Sequence, residues 1–375
     1  MTFHPLPEKV LSLEAIEETI ESACQTTMNR WEHKDRLTLR SVEGRDLAAL
    51  LTFLSVTNVS QIDTCRDFPN MFHGILSEDK DGTLCAAAIF YLAYSTWDSR
   101  FLCIDHILAD EGPVETSFMY TLADIAKALD CHRLVWKNYE TKSAFYKELN
   151  AETLDGWLTL RMGETAIDTL LATKEALAPK AVIADKFTLE ATTQAIDEAL
   201  TTTNTVLQPC GLKLHRATEK DLDDIEAQVA GLALYEKEPE SVHVTKEHYR
   251  IDGYQTDHPL FHCLLLQDTE TNKFYGMGFI YFGYDFDQGR FLYLEDLFFD
   301  ESHRGRGGGS MVMYTLASVC KRLACTGFVW QALDWNTPAI RFYKKIGATI
   351  LDGLLSTRFA GAQLTAFIHN RPDNQ

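Results

Sequence analysis

What this 375-residue chain lacks narrows its function first. Its nine cysteines contain no Cys-x-x-Cys pair and follow no regular spacing. That excludes a zinc ribbon and a disulfide framework, implies reduced thiols in a cytoplasmic setting, and leaves no metal to expect. No run approaches eighteen uninterrupted apolar residues, and Met1-Thr2-Phe3-His4-Pro5 carries neither a basic nor an apolar leader region, so neither export nor a membrane partner is expected. Positive charge is scarce, with 35 Lys and Arg against 54 Asp and Glu, a net of −19. A nucleic-acid backbone or an anionic membrane would be repelled at long range, whereas a small cationic molecule would be attracted.

What is present is an ordinary globular composition, 46% hydrophobic and 24% charged, in a chain long enough for two to three domains. The sequence repeats itself. Leu13-Glu14-Ala15 opens a helical pattern to about Arg30, and Leu189-Glu190-Ala191 opens another. Arg40 and Arg216, each closing a short alternating run, lie 176 apart. Phe72-His73 matches Phe261-His262 at 189, Arg100-Phe101-Leu102 matches Arg290-Phe291-Leu292 at 190, and Met119 to Ala123 matches Met313 to Ala317 at 194. Phe145-Tyr146-Lys147 and Asp155-Gly156 recur at 197 as Phe342-Tyr343-Lys344 and Asp352-Gly353. The matches are collinear and their offset grows stepwise, as loop insertions in a second copy would make it. The chain therefore divides into residues 1–179 and 180–375, with the joint near Leu177-Ala178-Pro179-Lys180.

In the second copy, strands are expected at Phe261–Leu266, Gly276–Phe282, Arg290–Phe299 and Gly327–Leu333, with helices from Met311 to Leu323 and from Thr337 to Ile346, the latter opened by Asn336. Such alternation implies an α/β layered fold. Between a late strand and the Met311 helix lies Arg304-Gly305-Arg306-Gly307-Gly308-Gly309-Ser310. Glycines let the backbone turn tightly and approach a ligand, and free N–H groups at a helix start bind anions. A dinucleotide-binding turn would follow the first strand, and a P-loop would need Gly-Lys-Ser/Thr, which is absent.

The spacing of Arg304, Gly307 and Gly309 resembles the pyrophosphate loop of the GNAT superfamily of acetyltransferases. Tyr284-Asp285, Tyr293 to Phe298, His258-Pro259-x-x-His262-Cys263, Tyr235-Glu236 and Trp335-Asn336-x-Pro338-x-Ile340-x-Phe342-Tyr343-Lys344 narrow it to the spermidine/spermine N-acetyltransferase family with its thialysine-acetylating relatives. The resemblance implies acetyl-CoA as donor, held by Arg304 to Ser310, by the backbone of Leu297, Phe298 and Phe299, and by the region of Asn336. It also implies direct transfer to a primary amine of a polyamine, diamine or thialysine-like molecule, with Glu295 removing the ammonium proton and Tyr343 supplying the acid. Acetyl transfer requires both, because a primary amine is mostly protonated at neutral pH. Asp285, Asp287 and Asp296, with Tyr235 and Glu236, would face the cationic acceptor. Charge along the chain agrees: residues 251–300 hold nine acids and two bases, residues 301–350 two acids and seven bases. Another amine acceptor, such as an amino acid, a xenobiotic or a protein lysine, and a non-catalytic CoA-binding module are the alternatives.

In the first copy Ala109-Asp110-Glu111-Gly112-Pro113-Val114-Glu115 replaces the glycine loop, Asp105 stands for Glu295 and His106 for Asp296, so CoA should be repelled there. Trp97 and Asp155-Gly156-Trp157 resemble acceptor-site elements of the same family, whose members dimerise. The expected architecture is two tandem GNAT folds, each a mixed sheet flanked by helices, joined as a monomeric intramolecular pseudo-dimer. The CoA-free first copy would lend Trp97 or Trp157 to the acceptor groove.

Overall fold

The strand-forming segments assemble into two seven-stranded mixed sheets, each flanked by helices. The structure, a computed structural model, describes residues 4–7, 10–30, 37–53, 71–109, 113–139, 143–179, 187–207, 211–369 and 371. The described chain runs α1 (Leu13–Arg30), β1 (Leu37–Ser41), α2 (Leu47–Phe53), β2 (His73–Asp79), β3 (Leu84–Ser95), β4 (Ser99–Leu108), α3 (Pro113–Ala128), β5 (Arg133–Tyr139), α4 (Ser143–Glu148), β6 (Glu152–Thr153), β7 (Trp157–Gly163) and α5 (Glu164–Ala172). It continues as α6 (Leu189–Leu207), β8 (Leu212–Arg216), α7 (Leu222–Glu236), α8 (Lys246–Tyr249), a π-helical turn at Arg250–Tyr254, β9 (His262–Asp268), β10 (Phe274–Asp285) and β11 (Gly289–Phe299). Last come α9 (Gly308–Arg322), β12 (Gly327–Leu333), α10 (Thr337–Lys345), β13 (Thr349–Ile350), β14 (Leu354–Ala360) and α11 (Ala362–His369). Helix α9 starts three residues before the expected Met311, because the glycines themselves form its first turn.

The two sheets do not divide at residue 179. Their orders are β1-β2-β3-β4-β5-β14-β6 and β13-β7-β12-β11-β10-β9-β8. Strand β7 pairs antiparallel with β12 from Trp157↔Leu333 to Gly163↔Gly327, and β14 pairs with β5 from Leu354↔Tyr139 to Ala360↔Arg133. Each copy thus gives its last long strand to the other's sheet. Sequence could mark Asp155-Gly156 and Asp352-Gly353 as equivalent turns, but hydrophobic pattern does not say which sheet a strand joins.

A pseudo-two-fold relates the copies. Tyr91 meets Phe291 edge to face at 5.9 Å and 83°, and their counterparts 190 residues apart, Tyr281 and Phe101, meet at 5.9 Å and 85°. These rings belong to a buried cluster drawn from both copies, including Leu76, Ile89, Tyr284 and Phe286. Burying such side chains contributes roughly 1.5–3 kcal/mol each. At the same seam Arg100, 1% exposed, donates through Nε to Asp252 at 2.7 Å. A buried charge needs such a partner, because leaving it unpaired is strongly destabilising.

Two backbone irregularities recur in both copies and prepare the site. A bulge sets Phe279 opposite Asp296 but Ile280 opposite Leu294, leaving Glu295 as the extra residue; the equivalent bulge in β4 leaves Asp105. In addition, β11 pairs in parallel with β12 only over Phe291–Leu294, and β4 with β5 only over Phe101–Ile104. Beyond those residues the neighbouring strands diverge, which opens a cleft in the middle of each sheet.

Candidate active site

The cleft between β11 and β12 widens into a cavity of about 1150 Å³. Its floor at one end is the start of α9. Gly307 caps that helix with φ +95°, a left-handed conformation that glycine adopts at little steric cost. The first intrahelical bond runs from Met311 N–H to Gly307 O at 3.0 Å, so the N–H groups of Gly308, Gly309 and Ser310 have no intrahelical acceptor. A Cβ on Gly308 would come within 2.6 Å of Leu266, so the backbone sits where no side chain fits. Gly305, Gly307, Gly308, Gly309 and Ser310 all line the cavity. Open donors at the start of a fifteen-residue helix suit a pyrophosphate, and the residues present therefore fit a CoA ester. Arg304 lines the same end; its Nε donates to Phe299 O at 2.9 Å and its guanidinium lies 4.6 Å from the Tyr235 ring centroid. Arg306 is not a lining residue: it donates to Asp268 at 2.8 Å. The diverging segment Leu297, Phe298 and Phe299 forms one wall, and Asn336, whose side chain accepts from Ala339 N–H at the start of α10, forms another.

Three carboxyl groups and a phenol gather deeper in the cavity. Glu295 and Asp296 project from the bulged end of β11, Glu236 from the last residue of α7, and Tyr343 from α10, packed against Trp330 at 5.0 Å. Burial raises the Glu295 carboxyl well above its ordinary value, and the adjacent Asp296 charge raises it further against the pull of Arg133. Burial also raises Asp296, opposed by the Thr96 hydroxyl that donates to it and by Arg133. Burial, with Asp296 and Glu238 nearby, lifts Glu236 to about 7. The Tyr343 hydroxyl is pushed up by burial and by Asp296, Glu236 and Tyr235, so it keeps its proton across neutral pH. Carboxyls held ready to take a proton beside a phenol held ready to give one form an acid–base set.

The first copy reaches into this cavity. The hairpin joining β3 to β4 brings Ser95, Trp97 and Asp98 to its wall, and Ser95 hydrogen-bonds Glu295. Trp97 is fixed from both sides, donating its N–H to Ser95 Oγ at 3.2 Å and accepting from His243 N–H at 2.9 Å. Trp157 lines the cavity because β7 belongs to the second sheet. Arg133 and Lys137 on β5 and Arg358 on the exchanged β14 complete the wall. Arg133 lies 3.4 Å from Asp98 and 4.0 Å from Glu295. Against burial, which raises it, Arg133 and His4 hold Asp98 down to about 2. None of Ser95, Asp98, Arg133, Lys137 or Arg358 was singled out by sequence. They sit outside the glycine, Glu295 and Tyr343 motifs, and the repeat offsets, which report loop insertions, do not tell that β5 of one copy faces β11 of the other.

Two expected acceptor residues lie elsewhere. Asp285 and Asp287 are in the β10–β11 hairpin, outside the lining of the cavity, where they meet the first copy's Asp105 and His106. Phe286 N–H donates to Asp105 Oδ2 at 2.7 Å, His106 Nδ1 lies 2.8 Å from Asp105, and His106 Nε2 lies 3.2 Å from Asp287. Burial lowers His106, but the Asp105 hydrogen bond and the Asp105, Asp287 and Asp285 charges outweigh it and raise the imidazole to about 9. At the glycine-loop position of the first copy, Asp110, Glu111 and Gly112 lie outside the described residues. Glu115, fully buried in α3, accepts from the Tyr146 hydroxyl at 3.2 Å. Among the described residues no group of three or more His, Cys, Asp or Glu could hold a metal, and no helix is long and apolar enough to cross a membrane.

Comparison with known proteins gives this geometry relatives. The model of the Acetyltransferase (GNAT) family matches residues 229–348. The chain is 34% identical over 158 residues to a thialysine N-epsilon-acetyltransferase of Mus musculus, covering 40% of this chain and 92% of that protein. It is 27% identical over 141 residues to the spermidine/spermine N(1)-acetyltransferase-like protein 1 of Homo sapiens, covering 36% of this chain and 20% of that one. A solved tandem GNAT protein from the clavulanic acid biosynthesis pathway aligns over 86% of this chain and 98% of that chain, at 12% identity and a TM-score of 0.44.

Proposed function

Because this chain belongs to the GNAT family of acetyltransferases, we propose that its second copy, residues 180–375, transfers the acetyl group of acetyl-CoA directly to a primary amine of a small polyamine, diamine or thialysine-like molecule. The observation that carries the reading is one continuous cavity running from the Gly307–Ser310 helix start to Glu236, Glu295, Asp296 and Tyr343. When bound, acetyl-CoA supplies an activated acyl carbon and a thiolate leaving group. The helix-start N–H groups would hold its pyrophosphate, and the unpaired edge of Leu297 to Phe299 its pantetheine arm. Glu236, Glu295 and Asp296 attract the ammonium of the acceptor. Glu295, acting through water, removes its proton so that the amine lone pair can attack, and the Tyr343 hydroxyl returns a proton to the departing sulfur. Direct transfer is favoured because no motif places a cysteine as an acyl carrier, and Cys263 and Cys320 are buried thiols that burial holds protonated. Residues 1–179 serve as a CoA-free partner that completes the acceptor wall. Release of free CoA thiol, assayed over polyamines, diamines, thialysine, amino acids and histone peptides with acetyl-CoA as donor, tests this. Turnover with a small amine is expected; tight acetyl-CoA binding with no turnover on any amine would identify a CoA-binding module instead.

A further inference from the structure

The cations of the cavity wall are unequally matched. Arg133 stands beside Asp98 and Glu295, and Arg358 Nε lies 2.9 Å from Glu152. Lys137 forms no ion pair among the described residues: its ammonium lies 5.7 Å from the ring centroid of Tyr293, on the cavity wall. Against burial, Cys103, Asp105 and Asp285 favour its charged form, and Arg161 opposes them. Burial pushes the ammonium below its ordinary range, so the charged form lacks a close counter-ion.

The position of this cation relative to the acid–base set is defined by one strand. Tyr293 and Glu295 both line the cavity while Leu294 between them packs into the opposite core. The cation over Tyr293 and the carboxyl at Glu295 thus line the same cavity beside neighbouring positions of β11. A molecule lying along β11 with its amine at Glu295 presents its far end to Lys137.

We propose that the acceptor is an amino acid with a distal primary amine, and that Lys137, contributed by the first copy, receives its carboxylate. The proposal rests on the acetyl-transfer reading above and selects within it. A carboxylate at that end supplies the counter-ion that Lys137 lacks, whereas the second ammonium of a diamine or polyamine meets a like charge there. Attraction to one class and repulsion of the other together make the discrimination. The second copy has Gln331 at the equivalent position of its own sheet, where its amide donates to Ser356 at 2.9 Å. The cation is therefore a feature of the copy that lacks the glycine loop.

Matched pairs differing only by the carboxylate provide the test: L-lysine against cadaverine, and thialysine against its decarboxylated analogue. For the unaltered chain, kcat/KM is expected to be at least about tenfold higher for the amino acid of either pair, in line with a charged hydrogen-bonding partner. Lys137→Met should lower the amino-acid value about 10- to 100-fold and raise the diamine value, and Lys137→Arg should restore the preference. Unchanged acetyl-CoA affinity controls for folding. Preference of the unaltered chain for the diamines, or equal loss of both classes in Lys137→Met, would overturn the proposal. Calorimetric titration with the same pairs separates the two readings. If no amine is acetylated, tighter amino-acid binding that disappears in Lys137→Met still supports the carboxylate subsite, and equal binding within each pair rejects it.

Discussion

The two copies share a fold and differ in chemistry at a handful of equivalent positions. Both keep the bulge and the diverging strands, so the cleft that makes a GNAT site possible is a property of the backbone. In the second copy the cleft opens on bare helix-start N–H groups; in the first, Glu115 stands at the position equivalent to Gly309 and its carboxylate is spent on Tyr146, the counterpart of Tyr343. The hairpins differ in the same asymmetric way. That of the first copy presents Ser95, Thr96 and Trp97 to Glu295 and Asp296, whereas that of the second closes against Asp105 and His106 in a charged seam. At one of two equivalent positions a carboxylate and an ion-paired histidine thus stand, and at the other the cleft is open and lined by the neighbouring copy. The same backbone thus carries two different sets of side chains, and the hairpin and β5 of the first copy form part of the other copy's cavity wall.

Making the copies alike should have the largest effect. Gly309→Glu places the first copy's residue in the cradle; its new Cβ meets Phe342 at only 3.4 Å, so the fold should survive while acetyl-CoA affinity falls about 100-fold or more. Calorimetry is expected to find one acetyl-CoA per unaltered chain, and two would show that the first copy still binds it. Tyr343→Phe, which removes the proposed acid without disturbing its packing, should lower kcat about 10²-fold at unchanged acetyl-CoA affinity; a wild-type rate would remove Tyr343 from the mechanism. Shortening the borrowed wall comes next. Trp97→Ala and Trp157→Ala should each raise KM for the amine several-fold, about 1 kcal/mol, with KM for acetyl-CoA unaffected, and an unchanged amine KM would mean that the copies do not share a groove.

The pH profile tests the carboxyl set. Glu236 stands at about 7 and Glu295 is raised, and both act in ionised form, so kcat/KM should rise with pH through neutrality. Glu236→Gln should simplify that limb. The smallest effect concerns the charged seam. His106 is raised to about 9 in the fold, above its unfolded value of about 6.5. Its contribution is therefore fully present below pH 6.5 and is lost as pH rises through 9. His106→Gln should lower the melting temperature by about 2 °C at pH 6 and by almost nothing at pH 10.

Much of this could be read from the sequence. The collinear offsets reveal two copies, and the glycine loop, Glu295, Asn336 and Tyr343 converge on one cavity because each is tied to a local strand or helix terminus whose pattern is visible in the chain. Asp285 and Asp287 were legible as acids but not as seam residues, since charge alone does not tell which way a hairpin faces. Lys137, Arg133 and Arg358 were not legible, because they reach the cavity only through the packing of one copy against the other. The exchange of β7 and β14 was hidden for a similar reason: a strand's apolar pattern is satisfied equally well in either sheet.

That exchange bears on how the chain can be made. In the first sheet β14 lies between β5 and β6, although the chain reaches it only after the whole of β7 to β13. Until residue 360 emerges, the β5 edge has no partner, and β7 must wait for β12. Neither half can finish folding by itself during synthesis, and both sheets depend on contacts between residues about two hundred positions apart. Folding of such topology is slow, and its waiting edges are open to pairing with other chains. Once closed, each half holds a strand of the other, so a nick in the 177–180 connection would leave two fragments that stay joined.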